Sequence, residues 1–312
     1  MKTVLLAIGG NAITKSTEKG TRDEQWVNIR KTCGHFAELV KKGYRVVITH
    51  GNGPQVGNLL RKNELTRDVV PPMPLDVCVS NTQGSLGYAI SQTLGNHLAN
   101  MGLSQPVASV ITQAVVSGDD PAFRNPTKFI GPFFSQEEAA RLMKTTTQVL
   151  KEDSGRGWRR VVPSPEPLEI VEQQAVKILL EAGVIVVASG GGGIPVVRTP
   201  QGLAGVEAVV DKDLAGQLLA TAVGADAFFL LTEVERVCIN YGKPNQQAFS
   251  RLTVAEAKRY QAEGHFPPGS MGPKVEAAIR FASSAPGRRA FIVALENVDK
   301  ALSGESGTVI TM

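Results

Sequence analysis

The chain has 312 residues, of which 42% are hydrophobic and 20% are charged, and its 33 basic and 29 acidic residues give a net charge of +4. This length allows one large α/β domain or two lobes with a substantial core. The composition is that of an ordinary globular protein. The mild charge excludes the strongly basic footprint of a nucleic-acid-binding protein, although it permits a local anion site.

The first apolar segment, TVLLAI at residues 3–8, follows Lys2 and has some likeness to a signal peptide. The run is short, ends at Gly9 and Gly10, and is not followed by a small-residue cleavage pattern. We therefore predict a first β-strand rather than a signal peptide.

Short apolar runs alternate with helical patterns along the chain. The candidate strands are residues 3–8, 44–49, 107–112, 184–189, 227–232 and 290–295. The first helix has apolar residues at alternating spacings of three and four, and Gly43 ends it; these residues are Trp26, Ile29, Cys33, Phe36 and Val40. Further helical patterns cover roughly 169–182, 211–223, 253–263 and 273–284. This alternation predicts a mostly parallel sheet covered by helices on both faces.

Two regions depart from the alternation. Residues from Val77 to Gly118 include no Asp, Glu, Lys or Arg, but many small polar residues. They do not form a membrane span, and we predict a buried helix, for which a subunit interface is one explanation. Residues 119–167 carry prolines and charges, and we predict an excursion inserted into the sheet. Residues 240–247 and 264–274 are predicted loops.

The three cysteines are far apart, odd in number and in no metal-binding spacing: Cys33, Cys78 and Cys238. We interpret them as reduced thiols of a cytoplasmic protein. None lies in a glycine-rich turn, which disfavours a catalytic cysteine. His50 and His97 are interpreted as structural.

Three candidate strands end in glycine-rich turns, at residues 9–11, 51–53 and 190–193. The carboxyl ends of parallel strands meet at one edge of a sheet, where open α/β folds bind ligands. Backbone N–H groups there, next to helix N-termini, form a cradle for a multiply charged anion. We therefore predict that phosphate oxygens approach these turns. For each turn taken alone, a purely conformational role for glycine stays open.

Known motifs narrow the function. The pattern G-x-x-x-x-G-K-[ST] is missing, which excludes a P-loop NTPase. GNGPQVG loosely resembles a dinucleotide-binding turn, but it follows the second strand and lacks the acidic residue about twenty positions later. No G-x-S-x-G occurs, so an α/β-hydrolase would have no nucleophile.

Three lysines stand in loops or at helix starts: Lys128, Lys212 and Lys274. A lysine at a helix N-terminus opposes the macrodipole unless an anion binds there, and a transferring phosphoryl group requires such cations. Solvated surface lysines are the alternative. Asp211 and Asp213 flank Lys212, and they either cap a helix or fix the lysines and a Mg²⁺ ion.

Several segments together closely resemble the carbamate kinases of the amino acid kinase family. They include AIGGNAI, THGNGPQVG, NTQGSLGY, NPTKFIG, GRGWRRVVPSP, GGGGIPVV, AVVDKDLA and GHFPPGSMGPKVEAA. The resemblance runs in order from residue 3 to about residue 310. NPTKFIG and GRGWRRVVPSP lie in the inserted excursion, which resembles the protruding subdomain of carbamate kinases.

The resemblance implies an open αβα sandwich around a mainly parallel sheet of about eight strands, with a protruding subdomain at about 119–167. Residues 1–205 would form a lobe for carbamate or carbamoyl phosphate, and residues 206–312 a lobe for ATP or ADP with Mg²⁺. The family is usually homodimeric. Its reversible reaction converts ATP and carbamate to ADP and carbamoyl phosphate, and it usually runs towards ATP in arginine or purine catabolism.

The resemblance also implies roles for individual residues. The carbamoyl and phosphoryl groups would contact Gly9, Gly10, Asn11, Gly51, Asn52 and Gly53. The phosphoryl oxygens would contact Lys128, Lys212 and Lys274, which Asp213 and secondarily Asp211 would arrange. The nucleotide would contact Gly190, Gly191, Gly192, Gly193, Thr232, Val234, Tyr241, Lys243, Pro244 and Met271. No protein ligand for the metal is implied, because nucleotide phosphates would mainly carry Mg²⁺.

Two departures from the family pattern leave other functions open. Phe129 stands where proline is common, and Pro268 replaces a residue that is basic in many relatives. Neither change removes a proposed catalytic group. The alternatives are an enzyme for another small carboxylate or carbamate and a non-catalytic, nucleotide-binding paralogue.

Overall fold

The computed structural model describes residues 2–15, 17–146, 148–153 and 155–312. The α-helices of this part of the chain are α1 Arg22–Lys41, α2 Gly53–Thr66, α3 Leu75–Asn100, α4 Gln136–Thr145, α5 Gln173–Glu181, α6 Lys212–Ala222, α7 Val254–Ala262, α8 Met271–Ser283 and α9 Val298–Ser303. Short 3₁₀ turns cover Gly10–Ala12 and Gly190–Gly192, among others.

The strands of the described residues fall into four sheets. Those from the N-terminal half are β1 Thr3–Ile8, β2 Arg45–His50, β3 Val107–Ser109, β4 Gln113–Val116, β5 Lys128–Phe134, β6 Val149–Glu152, β7 Trp158–Val162 and β8 Pro167–Ile170. Those that follow are β9 Ile185–Val187, β10 Ile194–Thr199, β11 Gly202–Gly205, β12 Ala227–Thr232, β13 Val237–Ile239, β14 Gln247–Phe249, β15 Arg251–Thr253, β16 Arg289–Ala294 and β17 Thr308–Thr311.

The largest sheet has eight strands in the order β15-β17-β16-β12-β1-β2-β9-β3. Six of them run parallel, whereas β17 pairs antiparallel with β16 and β15 runs with β17. All six strands predicted from the sequence are the parallel ones. The predicted fold class, an α/β sandwich with a mainly parallel sheet of about eight strands, is confirmed.

Both faces of this sheet are buried, as the continuous apolar strands require. On central strand β1, Leu5 and Ala7 join one core, which α5, α6, α7 and α8 cover. Leu6 and Ile8 point to the opposite face and join a second core beneath α1, α3 and α9. Each fully buried leucine or isoleucine side chain among these contributes about 1.5–3 kcal/mol relative to an exposed one.

Helix α1 forms where its apolar spacing predicted it. A capping box between Thr21 and Glu24 starts the helix and satisfies backbone N–H groups that the first turn leaves free. Four of the five residues predicted for its apolar face are fully buried, and Trp26 is partly buried: the four are Ile29, Cys33, Phe36 and Val40. Gly43, with φ of 84°, follows the helix. A second predicted capping box, Thr253 with Glu256, begins α7.

The helix predicted at roughly 169–182 begins later than predicted, at Gln173. Residues 167–170 instead form β8, which pairs antiparallel with β4 in a four-stranded sheet of order β11-β10-β4-β8. Ile170 is paired with Ala114 there. Since this partner strand lies more than fifty residues earlier, the local pattern did not show the pairing.

The inserted segment forms a small subdomain of its own. Strands β5, β7 and β6 make an antiparallel sheet, and α4 packs against β6 and β7. Helix α2 lies directly on β5, because Gly57 and Gly131 allow the two backbones to touch: a Cβ on Gly57 would overlap the Gly131 backbone. Lys128 is the first residue of β5. The base of the subdomain is therefore anchored next to α2.

Residues 77–100 of the charge-free segment lie in α3, a helix of 26 residues with buried positions along its whole length, whereas the rest of the segment includes β3 and β4 rather than helix. The other side of α3 is exposed and includes Val77 and Tyr88. Among the helices of the described residues, none combines the length and apolar character needed to cross a bilayer.

Candidate active site

A cleft of about 730 Å³ opens where β1, β2 and β12 end. These strands lie side by side, so Gly9, Gly51 and Thr232 come together from distant parts of the chain. Of the residues predicted for the site, those lining the cleft are Gly9, Gly10, Gly51, Asn52, Gly53, Lys128, Gly191, Asp211, Lys212, Asp213, Thr232, Val234, Tyr241, Met271 and Lys274. The ends of these strands therefore border a cavity.

The three lysines converge on two carboxylates. Lys212 Nζ lies 2.6 Å from Asp213 Oδ1, and Lys274 Nζ lies 2.9 Å from Asp213 Oδ2. Lys128 Nζ lies 2.6 Å from Asp211 Oδ2. One carboxylate therefore holds two ammonium groups from different helices, and the other holds the lysine of the protruding subdomain.

Local helix structure explains why these carboxylates can serve two purposes. Asp211 is the N-cap of α6, where its Oδ1 accepts a hydrogen bond from the backbone N–H of Asp213 at 2.9 Å. Its other oxygen is thus free to bind Lys128. Asp211 therefore does both things that were proposed as alternatives: it caps the helix and it fixes a lysine.

The charges are largely removed from water. The side chain of Asp213 is 5% exposed, that of Lys274 12% and that of Lys212 16%. Burial alone would raise the pKa of Asp213, but Lys212 and Lys274 outweigh it and lower that pKa. Burial likewise opposes the charge of Lys274, whereas Asp213 raises its pKa above the usual value.

The surroundings of Lys212 oppose its positive charge. Its burial and the neighbouring Lys274 lower its pKa, and Asp213 only partly offsets this. With Lys128 and Asp211 included, three ammonium groups face two carboxylates, which leaves a net charge of +1. A buried net positive charge next to backbone N–H groups is suited to an anion.

The absence of a side chain at Gly51 makes room for Lys212. A Cβ on Gly51 would lie 3.1 Å from Lys212 Cδ and 3.2 Å from the Gly10 backbone nitrogen. The aliphatic stem of Lys212 therefore packs onto this turn, and the Gly51 N–H is already bonded to the Ile8 carbonyl at 3.0 Å. Gly51 also lines the cleft, and its contact with a phosphoryl group stays a prediction.

The start of α2 has the features that the predicted anion cradle requires. Gly53 and Pro54 line the cleft, and a Cβ added to Gly53 would meet no atom of the described residues within 4 Å. Asn52 is the N-cap, but its side chain does not cap the helix. The N-terminal amides of α2 therefore keep their capacity for an anion. Asn11 lies in the 3₁₀ turn Gly10–Ala12 beside them.

The four consecutive glycines are buried, and in the described structure Gly191 is the one that lines the cleft. Gly191 has a φ of 65°, and a Cβ there would lie 2.2 Å from Asn52 Nδ2. The space beside Gly190, Gly192 and Gly193 is likewise filled by protein atoms. The turn therefore packs on His50 and Asn52, and the predicted contact of its glycines with the nucleotide stays a prediction.

His50 supports the same turns. It is fully buried, and burial lowers its pKa to about 4, although a hydrogen bond to the Gly51 carbonyl partly opposes this. The imidazole is therefore neutral at physiological pH, and its Nδ1 lies 3.0 Å from the Gly51 oxygen. These contacts fit the structural role predicted for His50.

The nucleotide end of the predicted site is more open. Tyr241 is 67% exposed, and Lys243 and Pro244 lie exposed on the loop between β13 and β14, outside the cleft lining of the described residues. The structure thus brings Thr232, Val234, Tyr241 and Met271 to the cleft, but not Lys243 or Pro244.

Sequence reasoning missed several cleft residues. Glu233 directly follows the strand end at Thr232, so the rule that strand ends line sites could have found it. Arg236, Cys238 and His265 also line the cleft. His265 lies in the segment GHFPPGSMGPKVEAA, which resembles the carbamate kinases, but none of the three was singled out as a site residue.

Within the described residues, no group of three or more His, Cys, Asp or Glu side chains could hold a metal ion. Asp211 and Asp213, the carboxylates nearest the lysines, are already engaged by ammonium groups. These residues therefore do not fit a protein-held Mg²⁺ site.

Comparisons with known proteins identify the family of the chain. A sequence model of the amino acid kinase family matches residues 2–294. The chain is 50% identical to a carbamate kinase of Thermococcus kodakarensis and 45% identical to a carbamate kinase-like protein of Escherichia coli, over 99% of each chain in both cases. A solved carbamate kinase from Giardia lamblia bound to AMP-PNP is 43% identical, with a TM-score of 0.92 over 99% of this chain and 98% of that one. The chain therefore belongs to the amino acid kinase family, and within it to the carbamate kinases.

Proposed function

We propose that this protein transfers a phosphoryl group reversibly between ATP and carbamate, giving ADP and carbamoyl phosphate. One observation carries the proposal: Asp213 holds the ammonium groups of Lys212 and Lys274 at 2.6 and 2.9 Å beside the uncapped start of α2. A phosphoryl group in transit spreads negative charge over its oxygens. The cluster supplies positive charge where the backbone amides already favour an anion.

The chemistry requires little else from the protein. Carbamate is already an oxyanion nucleophile, so its attack on the terminal phosphorus needs no general base. Positioning and charge stabilisation must then supply the catalysis. Lys212 and Lys274 would bind the transferring phosphoryl oxygens, and Asp213 would keep both amines in place. Lys128 would add a third cation from the subdomain.

The two substrates would occupy opposite halves of the cleft. The acceptor would lie against Gly9, Gly10, Asn11, Asn52 and Gly53. The nucleotide would lie towards Thr232, Val234, Tyr241 and Met271, and the Giardia lamblia relative bound to AMP-PNP supports a nucleotide as substrate. Mg²⁺ would be carried by the nucleotide phosphates, because Asp211 and Asp213 are engaged by lysines.

Several finer aspects belong to the same proposal. Carbamoyl phosphate is a mixed anhydride with a high tendency to transfer its phosphoryl group, so we expect net flux towards ATP, as in arginine or purine catabolism. The exposed side of α3, with Val77 and Tyr88, supports a homodimer. Cys33, Cys78 and Cys238 carry free thiols, which suits a cytoplasmic protein.

One observation favours a second candidate function. Phe129, which replaces a common proline, lines the cleft next to Lys128. A bulkier residue here would alter the space around the acceptor. The second candidate is therefore a kinase for another small carboxylate or carbamate.

A coupled assay of ATP formation from carbamoyl phosphate and ADP tests the proposal. We expect turnover of at least about 1 s⁻¹, at the low end for kinases. Acetyl phosphate serves as the matched control donor, because it lacks the carbamoyl nitrogen. Faster turnover with acetyl phosphate would favour the second candidate, and nucleotide binding without turnover of either donor would indicate a non-catalytic paralogue.

A further inference from the structure

Two neighbouring side chains of α3 reach the glycine turns on the substrate side. Thr82 Oγ1 donates a hydrogen bond to the Val79 carbonyl at 2.6 Å. With its proton committed, the hydroxyl can only accept, and it accepts from Asn52 Nδ2 at 2.9 Å. Thr82 and Asn52 are 0% and 2% exposed. The Thr82 hydroxyl therefore fixes which way the Asn52 amide faces.

Gln83, the next residue, forms hydrogen bonds that hold the glycine turn at residues 190–193. Its Nε2 donates to the carbonyls of Thr112 and Gly190 at 3.0 and 3.1 Å, and its Oε1 accepts from the Thr112 N–H at 2.8 Å. Thr112 Oγ1 in turn accepts from the Ser189 N–H at 2.6 Å. Gln83 is 2% exposed, so these bonds form without competition from water.

The glycine turn at residues 190–193 meets the turn at residues 51–53 at the side chain of Asn52. Ser189 adopts a left-handed φ of 53°, a conformation that a non-glycine residue keeps only when its surroundings hold it. The turn that follows brings Gly191 against Asn52, leaving no room for a Cβ. Asn52 is thus confined between the hydroxyl of Thr82 and the backbone that Gln83 holds.

This arrangement also explains why the helix carries no charge here. A charged side chain at either position would be buried without a partner, which is costly. A neutral hydroxyl and a neutral amide satisfy the turns without adding a charge beside the lysine cluster. The polar, uncharged composition of α3 is therefore matched to its contacts.

We propose that Thr82 and Gln83 are positioning residues that set Asn52, and with it the acceptor half of the cleft. This inference rests on the proposed function, because it assigns Asn52 to the carbamoyl phosphate side. Removing the Thr82 hydroxyl should therefore impair use of carbamoyl phosphate and leave use of ADP intact.

The test uses three variants of the full chain: Thr82→Val, Thr82→Ser and the control Thr93→Val. Thr93 is also buried on α3, but lies three helical turns, about 16 Å, further along the axis. For Thr82→Val we expect kcat/KM for carbamoyl phosphate to fall about 10- to 100-fold, the scale of a misplaced contact. The KM for ADP should stay within about twofold, and Thr82→Ser should restore the wild-type values, because it keeps the hydroxyl.

A merely structural role predicts a different result. Thr82→Val and Thr93→Val would then lower the melting temperature alike, with unchanged kinetics or equal changes towards both substrates, and either result overturns the inference. If Thr82→Val does not fold, Thr82→Ala removes the hydroxyl without placing a methyl group against Asn52 and is judged by the same criteria. Failure of Thr82→Ala to fold also overturns it.

The wild-type enzyme separates this inference from the proposed function. Turnover of carbamoyl phosphate and ADP by the wild type, together with unaltered kinetics of Thr82→Val, rejects the positioning role alone. A wild type without turnover rejects the proposed function and the inference that rests on it.

Discussion

The two ends of the cleft are built differently. On the proposed acceptor side, Asn52, Gly191 and His50 are buried, and each contacts another glycine turn or α3. On the proposed nucleotide side, Tyr241 is 67% exposed, and Thr232, Val234 and Met271 are partly buried. The proposed acceptor side is thus fixed by packing, whereas the side chains of the proposed nucleotide side are more exposed.

The difference matches what each substrate needs. Carbamate is small and offers few contacts, so its orientation must come from preorganised groups. A nucleotide is large and gains affinity from many contacts, so a more exposed pocket suffices for it. Lys212 and Lys274 lie between the two ends, where both substrates would exchange the phosphoryl group. Substitutions at the three places should therefore change different kinetic constants.

The largest effect on the reaction rate is expected for the lysine cluster between the two ends of the cleft. Lys212→Ala removes one of two cations on Asp213, and we expect kcat to fall at least about 100-fold, the scale of losing one preorganised charge-stabilising group. Initial rates of ATP formation at saturating substrates measure it. Lys258→Ala, an exposed position on α7, is the control and should keep the wild-type rate. A near-normal rate for Lys212→Ala would contradict the role of the cluster.

A smaller and more selective effect is expected on the acceptor side. Gly191→Ala would place a Cβ 2.2 Å from Asn52 Nδ2, at a φ of 65°, so Asn52 must move. We expect the KM for carbamoyl phosphate to rise about 10-fold or more, with the KM for ADP little changed. Steady-state kinetics with each substrate varied in turn measure both constants.

The control for this change is Gly84→Ala. Gly84 lies on the exposed side of α3, with no atom of the described residues within 4 Å of its added Cβ. It should leave both KM values unchanged and stabilise the protein by about 0.5–1 kcal/mol in urea unfolding, because alanine favours helix more than glycine does. Equal kinetic changes in both variants would mean that Gly191 does not act through Asn52.

Much of the fold could be predicted from sequence because it depends on local pattern. Strand β1 occupies residues 3–8 as predicted, since a run of apolar residues between polar ones suits a strand buried on both faces. Lys212 was found in the same way, because a lysine at a helix start is informative by itself.

What could not be predicted depends on partners far along the chain. The sequence shows that residues 190–193 are glycines, but it does not show what lies next to them. Their neighbour Asn52 is some 140 residues earlier, so the sequence could not tell whether these glycines make room for a phosphate or for another part of the protein. The bridging of Lys212 and Lys274 by Asp213 spans 61 positions. The contacts of Gln83 could not be predicted from its segment NTQGSLGY, since a glutamine in a helical segment without Asp, Glu, Lys or Arg is equally compatible with exposure.

The smallest effect is expected at the nucleotide side. Tyr241→Ala removes an exposed ring from the cleft lining. An aromatic contact contributes about 0.5–1.5 kcal/mol, which corresponds to a KM for ADP raised about 2- to 10-fold. The kcat and the KM for carbamoyl phosphate should not change, since this residue is remote from the lysine cluster in the proposed arrangement.

Tyr241→Phe keeps the aromatic ring and removes only its hydroxyl, so it separates the contributions of the two groups. Because the ring supplies the proposed contact, we expect this variant to keep the wild-type KM for ADP. An unchanged KM for ADP in Tyr241→Ala would place the base elsewhere in the cleft. A rise in the KM for carbamoyl phosphate instead would mean that the two ends are not independent, and that the exposed loop also shapes the acceptor side.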